Sequence, residues 1–252
     1  MPLSAVLITH NAGALIERCL ASVAFADEIL LVDSGSSDDT LAIAERHGAR
    51  VVQYAWLGFG PQKQFAVESA ANDWVLCLDA DEQVSDALKK SIVDALRAPS
   101  AEAYQFARRN RFLGRWLSHG EGYPDWSVRL YHRAHARWSD DPVHEKVVVD
   151  GAVEKLTGDL LHDSAESLHR YLEKQNRYTS LQAERLHERG RAAGIAQLVI
   201  SPLARFVKFY VFRLGFLDGV PGLIHIAIGC MNSFNKYAKL IALNKTNVEA
   251  VQ

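Results

Sequence analysis

The first hundred residues alternate between short apolar runs and segments of helical period, and that rhythm restricts the chain to few folds. Residues 3–9 (LSAVLIT), 28–32 (EILLV), 49–54 (ARVVQY) and a run ending at Asp79 read as strands. Between them, Ala14–Ala24 carries Leu15, Ile16, Cys19, Leu20 and Val23 at helical spacing. Thr40–His47 reads as a helix with Gly48 as its C-cap, and Gln62–Ala71 as another. Strands alternating with helices through short loops imply parallel βαβ units with right-handed crossovers. In such sheets ligands bind beyond the carboxyl ends of the strands. Three polar loops fall there: Thr9–Asn11, Asp33–Asp39 and Asp79–Glu82.

The last of these loops carries paired acids. Residues 75–82 read VLCLDADE, an apolar run that breaks at Asp79 and Asp81. In extended backbone two residues that far apart leave on the same face. Hard cations want oxygen ligands, and Mg²⁺ commonly combines one or two carboxylates with substrate phosphates. The pattern therefore suggests a metal that bridges the protein to a nucleoside diphosphate. Acids after a strand also serve as turn residues or helix caps, so the motif alone does not separate these readings.

At 252 residues, 48% apolar and 23% charged, the chain has material for one large domain, or a domain with a helical appendage. A net charge of −2 gives no case for nucleic acid as a partner. The three cysteines, Cys19, Cys77 and Cys230, are far apart and form no metal-binding pair, and Cys77 fits a small core residue. The chain opens directly into a strand-like segment, without a basic leader followed by an apolar stretch. No uncharged apolar run reaches the ~18–20 residues of a membrane-spanning helix. A cytosolic protein is expected.

Beyond the helix Asp86–Leu96 the pattern changes. Residues 103–149 hold short strand-like runs (AYQFARR, SVRLYH, EKVVVD) broken by Gly and Pro, the mark of antiparallel strands and loops. Residues 168–188 form a long charged amphipathic helix, and 198–241 form two or three helices separated at Gly215–Gly222. The expected organisation is a catalytic domain over 1–165, with a nucleotide-binding half (1–100) and an acceptor half (101–165), followed by a helical extension over 166–252. Residues 201–240 carry Arg205, Lys208, Arg213, Lys236 and Lys239 against Asp218, five minus one, or +4. Phe206, Phe209, Tyr210, Phe212, Phe216 and neighbouring leucines alternate with that base. A basic amphipathic helix of this kind lies in an anionic membrane interface, packs on the catalytic domain or builds a dimer.

The stretches LITHNAGALIERCLASV (7–23), ILLVDSGSSDDT (29–40) and DWVLCLDADE (73–82) resemble the inverting glycosyltransferases of family 2. GFGPQKQFA (58–66), SVRLYHR (127–133), PVHEKVVVDG (142–151) and GFLDGVPGL (215–223) are similar to the branch that adds glucose in β-1,4 linkage to the inner core of lipopolysaccharide. The resemblance implies a GT-A fold, a Rossmann-like α/β architecture whose mixed, mainly parallel sheet is flanked by helices. It implies that Asp33 accepts a hydrogen bond from the uracil edge, with Thr9, His10 and Asn11 around the base. Asp79 would hold the ribose or assist the metal, and Asp81 would coordinate a divalent ion, Mg²⁺ or Mn²⁺, on the diphosphate. His162 is the expected late ligand, with His144 a weaker one. Lys63 and Arg129 are expected to contact phosphates, or else to be solvated surface charges.

Inverting transfer needs a base for the acceptor hydroxyl. Glu145 is the candidate by resemblance and Asp141 its neighbour, although Glu145 could instead pair with Arg129 or Lys146. Trp116, Tyr123 and Trp126 fit a sugar-stacking platform or a core. The implied reaction moves a hexose, glucose from UDP-glucose, onto a lipopolysaccharide core sugar at the cytoplasmic face of the inner membrane, with the protein held there peripherally. The rivals are the same fold acting on a polyprenyl-linked or other surface-glycan acceptor, a nucleotidyltransferase, and an inactive membrane-associated interaction module. The nucleotidyltransferase reading lacks its glycine-rich basic loop at His10–Gly13, and the inactive module is at odds with intact Asp33, Asp79, Asp81 and Glu145.

Overall fold

The apolar runs of the first hundred residues become neighbouring strands. β1 (Leu3–Thr9) leads through α1 (Ile16–Ser22) to β2 (Glu28–Asp33), α2 (Thr40–Arg46), β3 (Arg50–Gln53), α3 (Phe59–Glu68) and β4 (Trp74–Asp79). β5 (Glu82–Val84), α4 (Asp86–Arg97), β6 (Ala103–Phe112), β7 (Arg115–Trp116), β8 (Asp125–His132), β9 (Ala136–Trp138), β10 (Val147–Val149) and β11 (Val153–His162) follow. This computed structural model describes residues 1–139, 145–164 and 167–249. The chain divides into two units, 1–109 with 125–164, and 110–124 with 165–252.

In the first unit the strand order is β3-β2-β1-β4-β8-β6-β11-β5. β3, β2, β1 and β4 run parallel, and β8 lies antiparallel to both β4 and β6. The strand period sorts the core into two layers. Leu3, Ala5 and Leu7 of β1 join Leu76 and Leu78 of β4 on one face, packed with Ile16, Leu20, Leu88 and Ile92. Val6, Val75 and Cys77 lie on the other with Ala66 and Val67 of α3. Each fully buried Leu or Ile contributes ~1.5–3 kcal/mol relative to exposure. The period of β4 therefore sends Asp79, two residues after Cys77, toward the layer that α3 covers. Gly158 lets β11 cross α4: it sits at φ +99°, and a Cβ there would lie 2.3 Å from the Leu88 nitrogen.

One boundary and one turn near the sheet edge differ from expectation. α3 starts at Phe59 rather than Gln62, because Pro61 sits in its first turn, where a missing N–H leaves nothing unpaired. β4 stops at Asp79, and the chain turns at Ala80–Asp81 before β5. The same-face argument for Asp79 and Asp81 assumed continuous extended backbone and does not hold.

In the second unit α5 (Leu168–Glu188) matches the expected charged helix, with the Ser167 hydroxyl accepting from Arg170 N as its N-cap. α6 (Ile195–Phe206) continues as a π-helical segment over Val207–Phe212, and a left-handed Leu214 and a 3₁₀ turn over Gly215–Asp218 lead into α7 (Gly219–Glu249). α5 and α7 are joined by polar contacts: Lys239 Nζ donates to the Asn176 side chain at 2.7 Å and to Ser180 Oγ at 2.8 Å. Ile195–Phe212 is one helical stretch of 18 residues with mean hydropathy 1.4, long and apolar enough to cross a membrane by length and composition. Arg205 and Lys208 interrupt it, so it is not an uncharged run.

Candidate active site

The parallel register gathers the polar ends of three strands. Thr9 is paired with Asp33 across β1 and β2, and Ile8 with Asp79 across β1 and β4. Thr9 Oγ1 donates to Asp33 Oδ1 at 3.1 Å, while Asp33 Oδ2 accepts from the backbone of Gly35 at 2.9 Å and Ser36 at 2.8 Å. The Ser36 hydroxyl also donates to Oδ1. Burial pushes the Asp33 carboxyl up, but the hydrogen bonds from Ser36, Gly35 and Thr9 outweigh it and hold the group below its usual range. Asp33 thus organises its own loop. The start of α2 is served by other acids: Asp39 holds the N-cap position and Asp38 accepts from Thr40 N at 3.1 Å. Beside it, Asn11 takes a left-handed φ of 50° and its Oδ1 accepts from Ser37 N at 2.8 Å. His10 is exposed at the rim. A base-edge contact to Asp33 needs one of these four partners, most simply the Ser36 hydroxyl, to swing away.

Asp79 is held by two buried cations. Its Oδ1 lies 3.0 Å from Lys63 Nζ, and its Oδ2 accepts from Arg129 Nη2 at 2.9 Å. Burial opposes the charge on Asp79, yet Arg129 and Lys63 overcome it and drive its pKa far below the usual carboxylate range. Arg129 Nη2 also reaches Glu82 Oε1 at 2.9 Å, and Glu82 Oε2 accepts from the Asp79 backbone at 3.0 Å. Arg108 extends the chain of charges, 3.6 Å from Glu82 and 2.7 Å from Asp125. Lys63 and Arg129 are buried, so neither is the solvated surface charge considered for them. Lys63 sits 4.7 Å from the Trp138 ring centroid and Arg129 5.6 Å.

The same lysine reaches the candidate base. Lys63 Nζ donates to Glu145 Oε1 at 3.3 Å, so Glu145 has an ion-pair partner, but it is neither Arg129 nor Lys146. Gly60 makes this approach possible, since a Cβ there would lie 2.3 Å from the Ser139 carbonyl oxygen and 3.5 Å from Glu145 Cβ. Asp141 and His144 lie outside the described residues.

Asp81 faces a different partner. β5 and β11 pair with Glu82 opposite His162, and this sets His162 Nε2 3.2 Å from Asp81 Oδ2. Both side chains are about one-fifth exposed, at 22% and 23%. The Asp81 carboxylate suits a hard divalent ion such as Mg²⁺ or Mn²⁺, while the imidazole beside it suits an ion softer than Mg²⁺. Among the described residues no group of three or more His, Cys, Asp or Glu forms a complete cage, so the remaining ligands would come from substrate oxygens and water. Asp79 fits a metal less well than expected, because both its oxygens already face fixed positive charge. Trp126 belongs to the first unit, where Lys155 Nζ lies 4.4 Å from its ring, whereas Trp116 and Tyr123 belong to the second. Sequence reasoning gave no role to Glu82, Arg108 or Trp138. An acid directly after Asp-Ala-Asp was the available signal for Glu82, and nothing local marks the other two.

A mixed sheet of this order, parallel through β3, β2, β1 and β4 with acids and buried cations gathered past the carboxyl edge of those strands, is the GT-A type of α/β transferase domain. Residues 4–149 match the family described as Glycosyl transferase family 2, and the chain belongs to that family. It is 31% identical over 249 residues to the lipopolysaccharide core biosynthesis glycosyltransferase LpsC of Rhizobium meliloti (strain 1021), covering 95% of this chain and 92% of that protein. It is 32% identical over 263 residues to the uncharacterized glycosyltransferase RT0209 of Rickettsia typhi, covering 98% and 90%. A crystal structure of S. aureus TarS 1–349 in complex with UDP-GlcNAc shares the fold at a TM-score of 0.52 and 16% identity, over 98% of this chain and 92% of that one. The protein is a glycosyltransferase related to a lipopolysaccharide core enzyme.

Proposed function

We propose that this glycosyltransferase moves a hexose, glucose from UDP-glucose, onto a sugar of the lipopolysaccharide inner core with inversion, at the cytoplasmic face of the inner membrane. The observation that carries the reading is Lys63, which bridges Asp79 at 3.0 Å and Glu145 at 3.3 Å and so ties the donor end of the sheet to an acid suited to act as base. The similarity to LpsC supports the acceptor class. Thr9, His10, Asn11 and Asp33 would surround the uracil and ribose, and Asp81 with His162 would hold a divalent ion. That ion, when bound, would stabilise negative charge on the departing diphosphate.

In the proposed step Glu145 takes the proton of the acceptor hydroxyl as its oxygen bonds to the anomeric carbon. The bond from that carbon to the diphosphate oxygen breaks with its electron pair leaving on UDP. Lys63 holds the Glu145 carboxylate in place for this transfer, with the Trp138 ring against the lysine.

The test is Glu145→Gln with a panel of UDP-sugars and truncated lipopolysaccharide acceptors. Transfer should fall by at least ~10²-fold, the lower range for a positioned base, while UDP-sugar binding by calorimetry stays unchanged. Turnover near wild type would remove Glu145 as the base. Transfer from no UDP-sugar to a core acceptor, with transfer to a polyprenyl-linked acceptor, would favour the alternative acceptor class.

A further inference from the structure

We propose that α6, its π-helical continuation and the turn into α7 form a monotopic membrane anchor that lies in the plane of an anionic bilayer surface. A stripe of apolar side chains runs along the segment at Ile195, Val199, Leu203, Val207 and Val211, spaced every fourth residue. All five are exposed, Ile195 at 78% and Leu203 at 61%, and Phe212 beyond them is exposed at 77%. Phe216 and Leu217 in the following turn are nearly half exposed. A soluble surface rarely presents so continuous an apolar face without a partner.

The other side of the segment is committed to protein. Arg205 Nε donates to Glu121 Oε2 at 3.0 Å and its Nη1 to Ser233 Oγ of α7 at 3.1 Å. Gly229 of α7 leaves room for that pair, since a Cβ there would lie 2.3 Å from Glu121 Oε2. A helix pinned at its middle by an ion pair is not surrounded by lipid. A spanning orientation would also carry Arg205 and Lys208 into the hydrocarbon, where charged side chains are costly. Lying flat, with one face on protein and one in the interface, satisfies both observations.

Charge names the occupant. Between residues 189 and 223 the basic residues are Arg189, Arg191, Arg205, Lys208 and Arg213, and the acid is Asp218, five minus one, or +4. Asp218 is buried, accepting from the backbone of Ser118 at 3.0 Å and His119 at 2.8 Å, so its charge is withdrawn from the surface. Arg189 and Arg191 before the apolar stripe, Lys208 within it and Arg213 after it are exposed, and Arg213 Nη2 also donates to the Tyr123 carbonyl oxygen at 3.2 Å. An apolar face edged with positive charge is complementary to a leaflet of acidic lipids, and each such base near the surface strengthens binding about fivefold.

Sedimentation of the full chain with vesicles of phosphatidylcholine and phosphatidylglycerol (3:1) tests this. The protein should pellet with them at 0.1 M salt, far less with pure phosphatidylcholine, and return to the supernatant at pH 11. The double variant Leu203→Asp/Phe212→Asp should bind at least ~10-fold more weakly. Its melting temperature should not change, because both side chains are exposed. Lys208→Gln/Arg213→Gln should weaken binding to the acidic vesicles by ~25-fold, two steps of fivefold, and leave the residual binding to neutral ones unchanged. Three results would overturn the proposal: undiminished vesicle binding by the double Asp variant, retention in the pellet at pH 11, or no vesicle binding with light scattering showing a dimer that the double Asp variant dissociates.

Discussion

Arg129→Met tests whether the buried charges at the end of β4 form one coupled unit. The wild-type guanidinium is buried and holds Asp79 and Glu82, each at 2.9 Å from the same Nη2. Methionine fills much of the volume and supplies no donor. Removing one partner of a buried ion pair costs ~3–5 kcal/mol, because the remaining charge stays desolvated. Here Lys63 stays 3.0 Å from Asp79 and Arg108 stays 3.6 Å from Glu82, so each acid keeps one cation. That places the expected loss at the low end, ~3 kcal/mol. The pH dependence follows from Asp79. Its folded pKa is depressed, so its contribution to stability is complete above the unfolded value of ~3.9 and lost as pH falls through the folded value. Losing Arg129 relaxes that depression. The gap between wild type and variant is therefore widest at neutral pH and narrows toward acid. Urea unfolding followed by tryptophan fluorescence at pH 7 and at pH ~2.5, inside the window below the unfolded value, measures it. A loss below ~1 kcal/mol at pH 7, the size of a surface pair, would refute the coupling, as would a gap that widens toward acid.

Other expectations concern separate parts of the first unit. Gly60→Ala should destabilise by ~1–3 kcal/mol through its clash with the Ser139 carbonyl and lower kcat by displacing Glu145, with donor binding retained; calorimetry and steady-state kinetics separate the two. His162→Ala should weaken Mn²⁺ binding, measured with UDP present by the electron paramagnetic resonance of the free ion, by ~10-fold or more, and Asp81→Ala should abolish it. Asp79→Asn should disturb Mn²⁺ affinity much less than Asp81→Ala, and equal losses would return Asp79 to the ligand set. Ser85→Ala should cost ~1 kcal/mol in melting experiments, because the Ser85 hydroxyl caps α4 by accepting from Leu88 N and also accepts from Asp159 N of β11.

The parallel half was legible because each strand is an apolar run and each helix keeps a clean period. Strand order then brings Thr9, Asp33 and Asp79 to one edge without any long-range information. Lys63 was expected near the phosphates, but its burial and its pairing were not legible: its partner Glu145 is 82 residues away, and nothing near Lys63 marks it as buried rather than solvated. Glu82 was hidden by its place after a turn, where acids are ordinarily exposed. The Asp79–Asp81 argument failed at a turn that composition does not announce, since Ala80 is neither Gly nor Pro. The apolar length of the helix over Ile195–Phe212 was not legible for a different reason. A test for uncharged length discards a segment with Arg205 in it, although Arg205 is satisfied by Glu121 and leaves the outer face apolar.

The two departures from ordinary folding rules lie in different units and point to different work. Val75 and Cys77 show that the α3-facing side of β4 packs well with small apolar residues. Continuing that pattern through position 79 would stabilise the sheet at least as well as a buried ion pair, whose attraction barely offsets its desolvation. A chain that instead places Asp79, Glu82, Lys63, Arg108 and Arg129 there forgoes stability for a fixed array of charge at the carboxyl edge. The second unit inverts the exchange. Polar residues at 195, 199, 203 and 212 would keep α6 soluble with no loss of internal packing, because those side chains contact little of their own unit. Local rules broken without a gain in stability mark the positions where function constrains the sequence. In this chain they mark a charged pocket at the carboxyl edge of the parallel strands and the apolar face for which a lipid surface is proposed.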